Sequence, residues 1–244
     1  MSGQAGLPMY DWPEERGAVD ALWQMIRARA GGDLPARLTR EQDDPALLAH
    51  WRNPALVFSQ TCQGPLSLGM LPGLRVLAQP DYSDVAGGTG PLYRSAVIAR
   101  TGAPRPAPTG PHADLPPLLL AGLLAGRVLA VNARHSLSGW LALAQDIGAD
   151  PAASAWGVVM TGGHRASVLA VAAGRADLAA IDCRAWALAQ RHEPCARSLV
   201  VLGWTAARPG LPYVTGPQTA PALAERLARA LIGMGCHPPL QEVA

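Results

Sequence analysis

The chain has 244 residues, 49% apolar and only 16% charged, against about 25% charged in an ordinary soluble domain. That balance excludes a disordered polyelectrolyte and leaves ample apolar material for a core. The net charge of +2 rests on 20 basic residues, all of them arginine, scattered along the chain rather than gathered on one stretch as a nucleic-acid binder requires.

The absence of lysine excludes nucleotide hydrolysis of the P-loop type, which needs a Walker A lysine. It reads either as coding bias toward Arg, Ala, Gly and Pro or as selection of guanidinium groups for planar anion contacts. The first nine residues carry neither a basic segment nor an apolar run, so the numbered chain reads as cytosolic or as a mature or shortened form of an exported protein. The most apolar stretch, 115–124, is too short to span a bilayer, which needs about 20 residues. Cys62, Cys183, Cys195 and Cys236 show no C-x-x-C spacing, so no zinc site is expected. Buried free thiols are the default, with a Cys183–Cys195 bridge as the alternative.

In chain order, short apolar strands alternate with helical patterns, as in α/β units with largely parallel sheets. A first strand is expected over 6–10, followed by a helix from Pro13 with Val19, Leu22, Trp23 and Ile26 on one face, stopped by Gly31-Gly32. Asp44-Pro45 open a second helix through Trp51, and strands follow at 55–59, 74–78 and 93–100. Residues 101–111 are rich in Pro and Gly and read as an exposed loop. Beyond it come a strand at 127–131, a helix at 139–147, a strand at 157–160 and a helix at 164–173. A strand at 178–181, a helix at 185–190, a strand at 199–203 and a final helix from Pro221 to about Met234 complete the chain.

Two strand-to-helix junctions carry candidate chemistry. In Asn132-Ala133-Arg134-His135-Ser136-Leu137-Ser138-Gly139, two serines at a helix start serve either as ordinary N-caps or as hydroxyl donors to an anion, helped by the helix dipole. In Thr161-Gly162-Gly163-His164-Arg165-Ala166-Ser167, the glycines permit close backbone approach and His164 opens the next helix, either as a hydrogen-bonded structural residue or as a donor to an anionic oxygen. Both follow the C-terminal ends of expected strands, where open α/β sheets place ligands. No G-x-S-x-G elbow is present and Ser136 lacks a recognisable base and orienter. No cofactor is implied.

These junctions resemble those of the phosphate/phosphite/phosphonate substrate-binding proteins of ABC transporters, the type II periplasmic binding proteins. The likeness extends over the segment ending at Tyr10, Phe58-Ser59-Gln60-Thr61, Tyr93-Arg94-Ser95, the Ser-x-Ser-Gly junction and the stretch from Gly163-His164 to Asp177 and Asp182. The resemblance implies two α/β lobes joined by two crossover strands, with a ligand cleft between them. Residues 1–94 and 203–244 would form the first lobe and residues 95–202 the second. It implies that Ser136, the backbone N–H of Leu137, Ser138 and His164 hold phosphoryl oxygens, that Tyr10 and Tyr93 close over them, and that Gln60 sits at the mouth. Asp182 lines the same cleft, where an ionised carboxylate needs a protonated ligand oxygen or a cationic ligand tail.

Aminoalkylphosphonate binders of this family carry two carboxylates for the ligand amine. Arg184 and Leu211 stand at the aligned positions, which implies phosphate, phosphite or a small unsubstituted anion instead. The resemblance further implies a monomer that delivers a small oxyanion to an ABC permease if exported, without catalysis, with a periplasmic address at odds with the missing signal peptide. A cytosolic enzyme or ligand sensor on the same fold is the alternative, since fold does not fix function.

Overall fold

The computed structural model describes residues 3–40, 43–102 and 117–240. The chain divides into two compact units, residues 1–81 with 209–244 and residues 82–208. Most of the expected loop over 101–111 lies outside the described residues.

The discontinuous unit is built on a four-stranded sheet ordered Gln4–Gly6, Leu56–Gln60, Tyr213–Thr215, Arg75–Ala78. The first two strands are parallel, and Tyr213–Thr215 runs antiparallel to both of its neighbours. The helices Arg16–Ala30 and Pro221–Ile232 pack on one another. Trp23, Ile26, Leu77, Leu227 and Leu231 form the core between helices and sheet. Phe58, the chain's single phenylalanine, is fully buried between Trp23 and Tyr213, with ring centroids 5.2 and 5.7 Å away. Such stacked pairs contribute about 0.5–1.5 kcal/mol beyond their area burial.

The expected strand over 6–10 is shorter and earlier than the sequence pattern suggests. Pairing ends at Gly6, and Pro8–Tyr10 is a single 3₁₀ turn. Pro8 has no N–H to offer a ladder and its ring fixes φ near helical values. The helix expected from Pro13 begins at Arg16 and ends where predicted, with Gly31 at φ 65° and its N–H bonded to the Arg27 carbonyl at 2.9 Å.

The continuous unit holds a five-stranded sheet ordered Leu199–Trp204, Ser95–Arg100, Leu178–Asp182, Val128–Val131, Gly157–Met160. The last three strands are mutually parallel, while Ser95–Arg100 is antiparallel to both its neighbours. The sheets are therefore mixed, with most strands sharing one direction. In each unit one strand is reversed: Tyr213–Thr215, on which the chain returns to the discontinuous unit's sheet after Pro209, and Ser95–Arg100, its first strand in the continuous unit's main sheet. The core is Val97, Leu120, Leu124, Leu129, Val131, Leu143 and Leu178. The four cysteines are free thiols, so no Cys183–Cys195 bridge forms.

Gly216, directly after the reversed strand of the discontinuous unit, lies flat against its neighbour. A Cβ there would sit 2.3 Å from the Leu56 carbonyl oxygen, a backbone atom that has no rotamer to yield. Gly216→Ala is expected to lower stability by about 1–3 kcal/mol through this overpacking. Chemical denaturation reads the effect as a lower midpoint, and an unchanged midpoint would contradict the packing described.

Candidate functional site

The three parallel strands of the continuous unit end on one edge of the sheet, and polar residues follow each end. Val131 and Met160 are register partners, so the chain leaves both strands at the same level. Two further bonds keep the exits together: Thr161 N–H donates to the Val131 carbonyl at 2.8 Å, and Gly162 N–H to the Asn132 carbonyl at 3.1 Å. The next side chains of consequence, Ser138 on one arm and His164 on the other, are thereby held side by side.

On the first arm, the expected helix over 139–147 begins as one π-helical turn, Leu137–Leu141, and continues as Ala142–Ile147. The Leu141 N–H bonds the Ser136 carbonyl at 3.0 Å across five residues. Such turns are rare and concentrate at functional sites. Ser136 caps this turn, its hydroxyl accepting from the Gly139 N–H at 3.2 Å and from Asn132 Nδ2 at 3.0 Å. Ser138 Oγ lies 3.3 Å from Ser136 Oγ and 2.7 Å from His164 Nε2. Leu137, Ser136 and Ser138 are all buried. A Cβ on Gly139 would fall 1.8 Å from Asn132 Oδ1, so only glycine fits there while Asn132 keeps its place.

On the second arm, Gly162 at φ 81° makes the turn into the helix His164–Ala172. Thr161 Oγ1 and Ser167 Oγ are 2.6 Å apart and tie that turn to the helix. Burial lowers the His164 pKa from 6.5 to about 4, because desolvation disfavours the imidazolium. The ring is therefore neutral at pH 7. Its Nδ1 is buried and has no hydrogen-bond partner among the described residues.

Asp182 ends the central strand and is buried. Its Oδ1 accepts from the N–H groups of Arg184 and Ala185, both at 2.9 Å, capping the helix Cys183–His192. Tyr93 is buried on a two-residue strand, its ring 5.7 Å from that of Tyr82. In the discontinuous unit, Gln60 ends its strand with Nε2 donating to the Leu211 carbonyl at 3.1 Å, and Tyr10 closes the 3₁₀ turn. Of the eight residues named from the sequence, Ser136, Leu137, Ser138 and His164 form one connected cluster. Tyr93 and Asp182 belong to the same unit, and Tyr10 and Gln60 to the other.

The arginines near these motifs have other work. Arg184 holds Asp84 through two nitrogens at 2.6 and 2.9 Å and lies over the Tyr82 ring. Arg165 pairs with Glu193 at 2.5 Å, and Arg134 covers the Trp140 ring at 4.1 Å. Sequence reasoning did not single out Asn132 or Thr161 as site residues. Their only signal was position, one residue past the end of an apolar strand. Among the described residues no group of three or more His, Cys, Asp or Glu side chains is placed to hold a metal ion. No helix among them is long and apolar enough to cross a membrane.

Residues 67–243 match the family described as ABC transporter, phosphonate, periplasmic substrate-binding protein. The chain belongs to that family of transport binding proteins, which is normally periplasmic, and oxyanions of the phosphonate kind are its ligand class. No curated protein matches it in sequence. Solved structures with the same fold include the binding protein component of the phosphonate ABC transporter of Pseudomonas aeruginosa, 13% identical with a TM-score of 0.70 over 97% of this chain and 80% of that one. PhnD1 from Prochlorococcus marinus, solved with methylphosphonate, is 14% identical with a TM-score of 0.69 over 95% and 82%. XAC2383 from Xanthomonas citri, solved with a chloride ion, is 17% identical with a TM-score of 0.66 over 99% and 92%. The fold is thus that of the two-lobe periplasmic binding proteins.

The lowered His164 pKa has a consequence for acid stability. Between about pH 6.5 and pH 4 the unfolded chain takes up a proton on this residue that the folded chain refuses, so stability falls as pH drops through that window. His50, also lowered by burial, contributes with the same sign. Replacing His164 with Asn is expected to shallow the decline in melting temperature across this range without abolishing it. A decline as steep as in the parent would contradict the assignment.

Proposed function

We propose that the edge formed by Asn132–Gly139 and Gly162–His164 holds a phosphoryl-type oxyanion, and that the protein presents it to an ABC permease. The observation that carries this reading is the 2.7 Å contact between Ser138 Oγ and His164 Nε2, which brings the two family-like motifs into one hydrogen-bonding group. In it, Ser136, Ser138, the Leu137 N–H and His164 bind the oxygens. By the family likeness, Tyr93, Tyr10 and Gln60 are further ligand contacts. Asp182 acts mainly by fixing the helix it caps and accepts a hydrogen bond from a protonated ligand oxygen.

Neutral donors suit an anion that must be released again. Hydrogen bonds to a charged group contribute about 1.5–3 kcal/mol each, enough in combination for tight capture without a buried ion pair and its desolvation cost. A serine and histidine in contact also suggest a nucleophile and base. The His164 Nδ1 has no partner among the described residues, so the orienting group of a catalytic triad is missing, which favours binding without turnover. With Arg184 engaged by Asp84 and an apolar Leu211 at the second aligned position, the ligand is an unsubstituted anion such as methylphosphonate, phosphite or phosphate. The protein acts as a monomer in the periplasm, the family's usual compartment.

Thermal unfolding with methylphosphonate, phosphite, phosphate, sulfate and 2-aminoethylphosphonate tests this directly. A ligand at 100 times its Kd adds about 2.7 kcal/mol of stability. One or more of the three unsubstituted phosphorus oxyanions is expected to raise the melting temperature, and 2-aminoethylphosphonate to raise it no further than methylphosphonate. In Ser138→Ala the affinity is expected to fall by about 10-fold or more, the loss of one charge-assisted bond. No shift with any oxyanion, or a shift with the aminophosphonate alone, would overturn the reading.

A further inference from the structure

Asn132 sits one residue beyond the strand Val128–Val131, at the head of the first junction and with no role of its own assigned from the sequence, and it touches both arms of the site. Its carbonyl accepts from Gly162 N–H at 3.1 Å, and its side-chain Nδ2 donates to Ser136 Oγ at 3.0 Å. The orientation of the amide follows from its surroundings. The Oδ1 atom occupies the space a Cβ would take on Gly139, 1.8 Å from that ideal position. A carbonyl oxygen is accommodated beside a Cα–H, whereas an NH₂ group there would meet another hydrogen.

We propose that Asn132 is a positioning residue for the anion site, acting by fixing the direction of the Ser136 hydroxyl so that its proton is offered to the ligand. This rests on the reading of Ser136 and Ser138 as ligand donors. A hydroxyl oxygen has one proton and two lone pairs. At Ser136 the Asn132 amide and the Gly139 N–H, at 3.0 and 3.2 Å, both donate to that oxygen. With both acceptor positions filled, the proton points away from Asn132, toward Ser138 or a bound oxyanion.

The same logic continues into Ser138. Of the two neutral forms of His164, the one with hydrogen on Nδ1 leaves a buried donor unmatched, while the one with hydrogen on Nε2 leaves only a lone pair. The second form costs less, and its Nε2–H, 2.7 Å from Ser138 Oγ, is shared between that oxygen and a bound ligand oxygen. Ser138 then also turns its proton outward. The pair of hydroxyls behaves as donor-only, which favours oxygens that carry lone pairs and disfavours ligand groups that present their own hydrogens.

The experiment is a calorimetric mutant cycle using methylphosphonate, phosphite and phosphate as titrants. The variants are Asn132→Leu, which keeps the side-chain size and removes the amide, Asn132→Ala, Ser136→Ala, and each Asn132 change combined with Ser136→Ala. Melting temperatures without ligand identify any variant that fails to fold, in which case the other Asn132 substitution decides. Loss of the amide is expected to weaken the best ligand at least fivefold in the parent and by less than twofold in the Ser136→Ala background. A structural defect would weaken both backgrounds alike, and that result overturns the proposal. Wild-type affinity in the Asn132 variants, with Ser136→Ala impaired, also overturns it while leaving the site reading intact. Full affinity in Ser136→Ala, or no binding of any titrant by the parent, removes the site reading and the proposal together.

Discussion

The contact between Ser138 and His164 exists because two parallel strands end at the same level. Val131 and Met160 are paired in register, and the backbone bonds from Thr161 to Val131 and from Gly162 to Asn132 continue the pairing one step past the strands. A slip of one residue would turn every side chain of the strand to the opposite face and move one arm away from the other. The hydrogen-bonded chain Asn132, Ser136, Ser138, His164 depends on this register, as does the fit of Gly139 against Asn132.

The electrostatics are built from groups that carry no net charge. His164 is held neutral by burial, and the arginines that accompany the motifs are occupied by Asp84, Glu193 and Trp140. Attraction for an anion then comes from aligned O–H and N–H dipoles, which need no large reorganisation when the ligand arrives. The arginine-rich composition that first suggested guanidinium recognition serves the scaffold: Arg208 pairs with Asp146, and Arg100 reaches the carbonyls of Val171 and Ala176.

Much of this was legible in the sequence where the deciding interactions are local. The strands 157–160 and 178–181, the helix opened by His164 and the one opened by Asp44-Pro45 all announce themselves by apolar runs and helix-start residues within a few positions. Ser136, Ser138 and His164 stood out because they follow apolar strands. What the pattern concealed depends on distant partners. Arg184 meets Asp84 a hundred positions away, which removes it from the ligand question. The reversal of Ser95–Arg100 and Tyr213–Thr215 is set by pairing with distant strands, and apolar periodicity is the same in either direction. Asn132 headed a junction in the sequence but showed no role of its own, because that role lies in two bonds to groups that the register brings near. Pro8 was readable in principle, since it cannot donate to a ladder, but the apolar residues around it favoured a longer strand.

The central claim is that an oxyanion is held by neutral donors that include the His164 ring. The most direct measurement is the side-chain nitrogen spectrum of the six histidines as methylphosphonate is titrated to calorimetrically defined saturation, with the His164 signals assigned by their loss in His164→Asn. At pH 7 the expected result is a neutral His164 protonated on Nε2 before ligand is added, and a large displacement of its resonances that tracks occupancy. Saturating ligand with the His164 resonances unmoved, or a ring already charged at pH 7 without ligand, would contradict it.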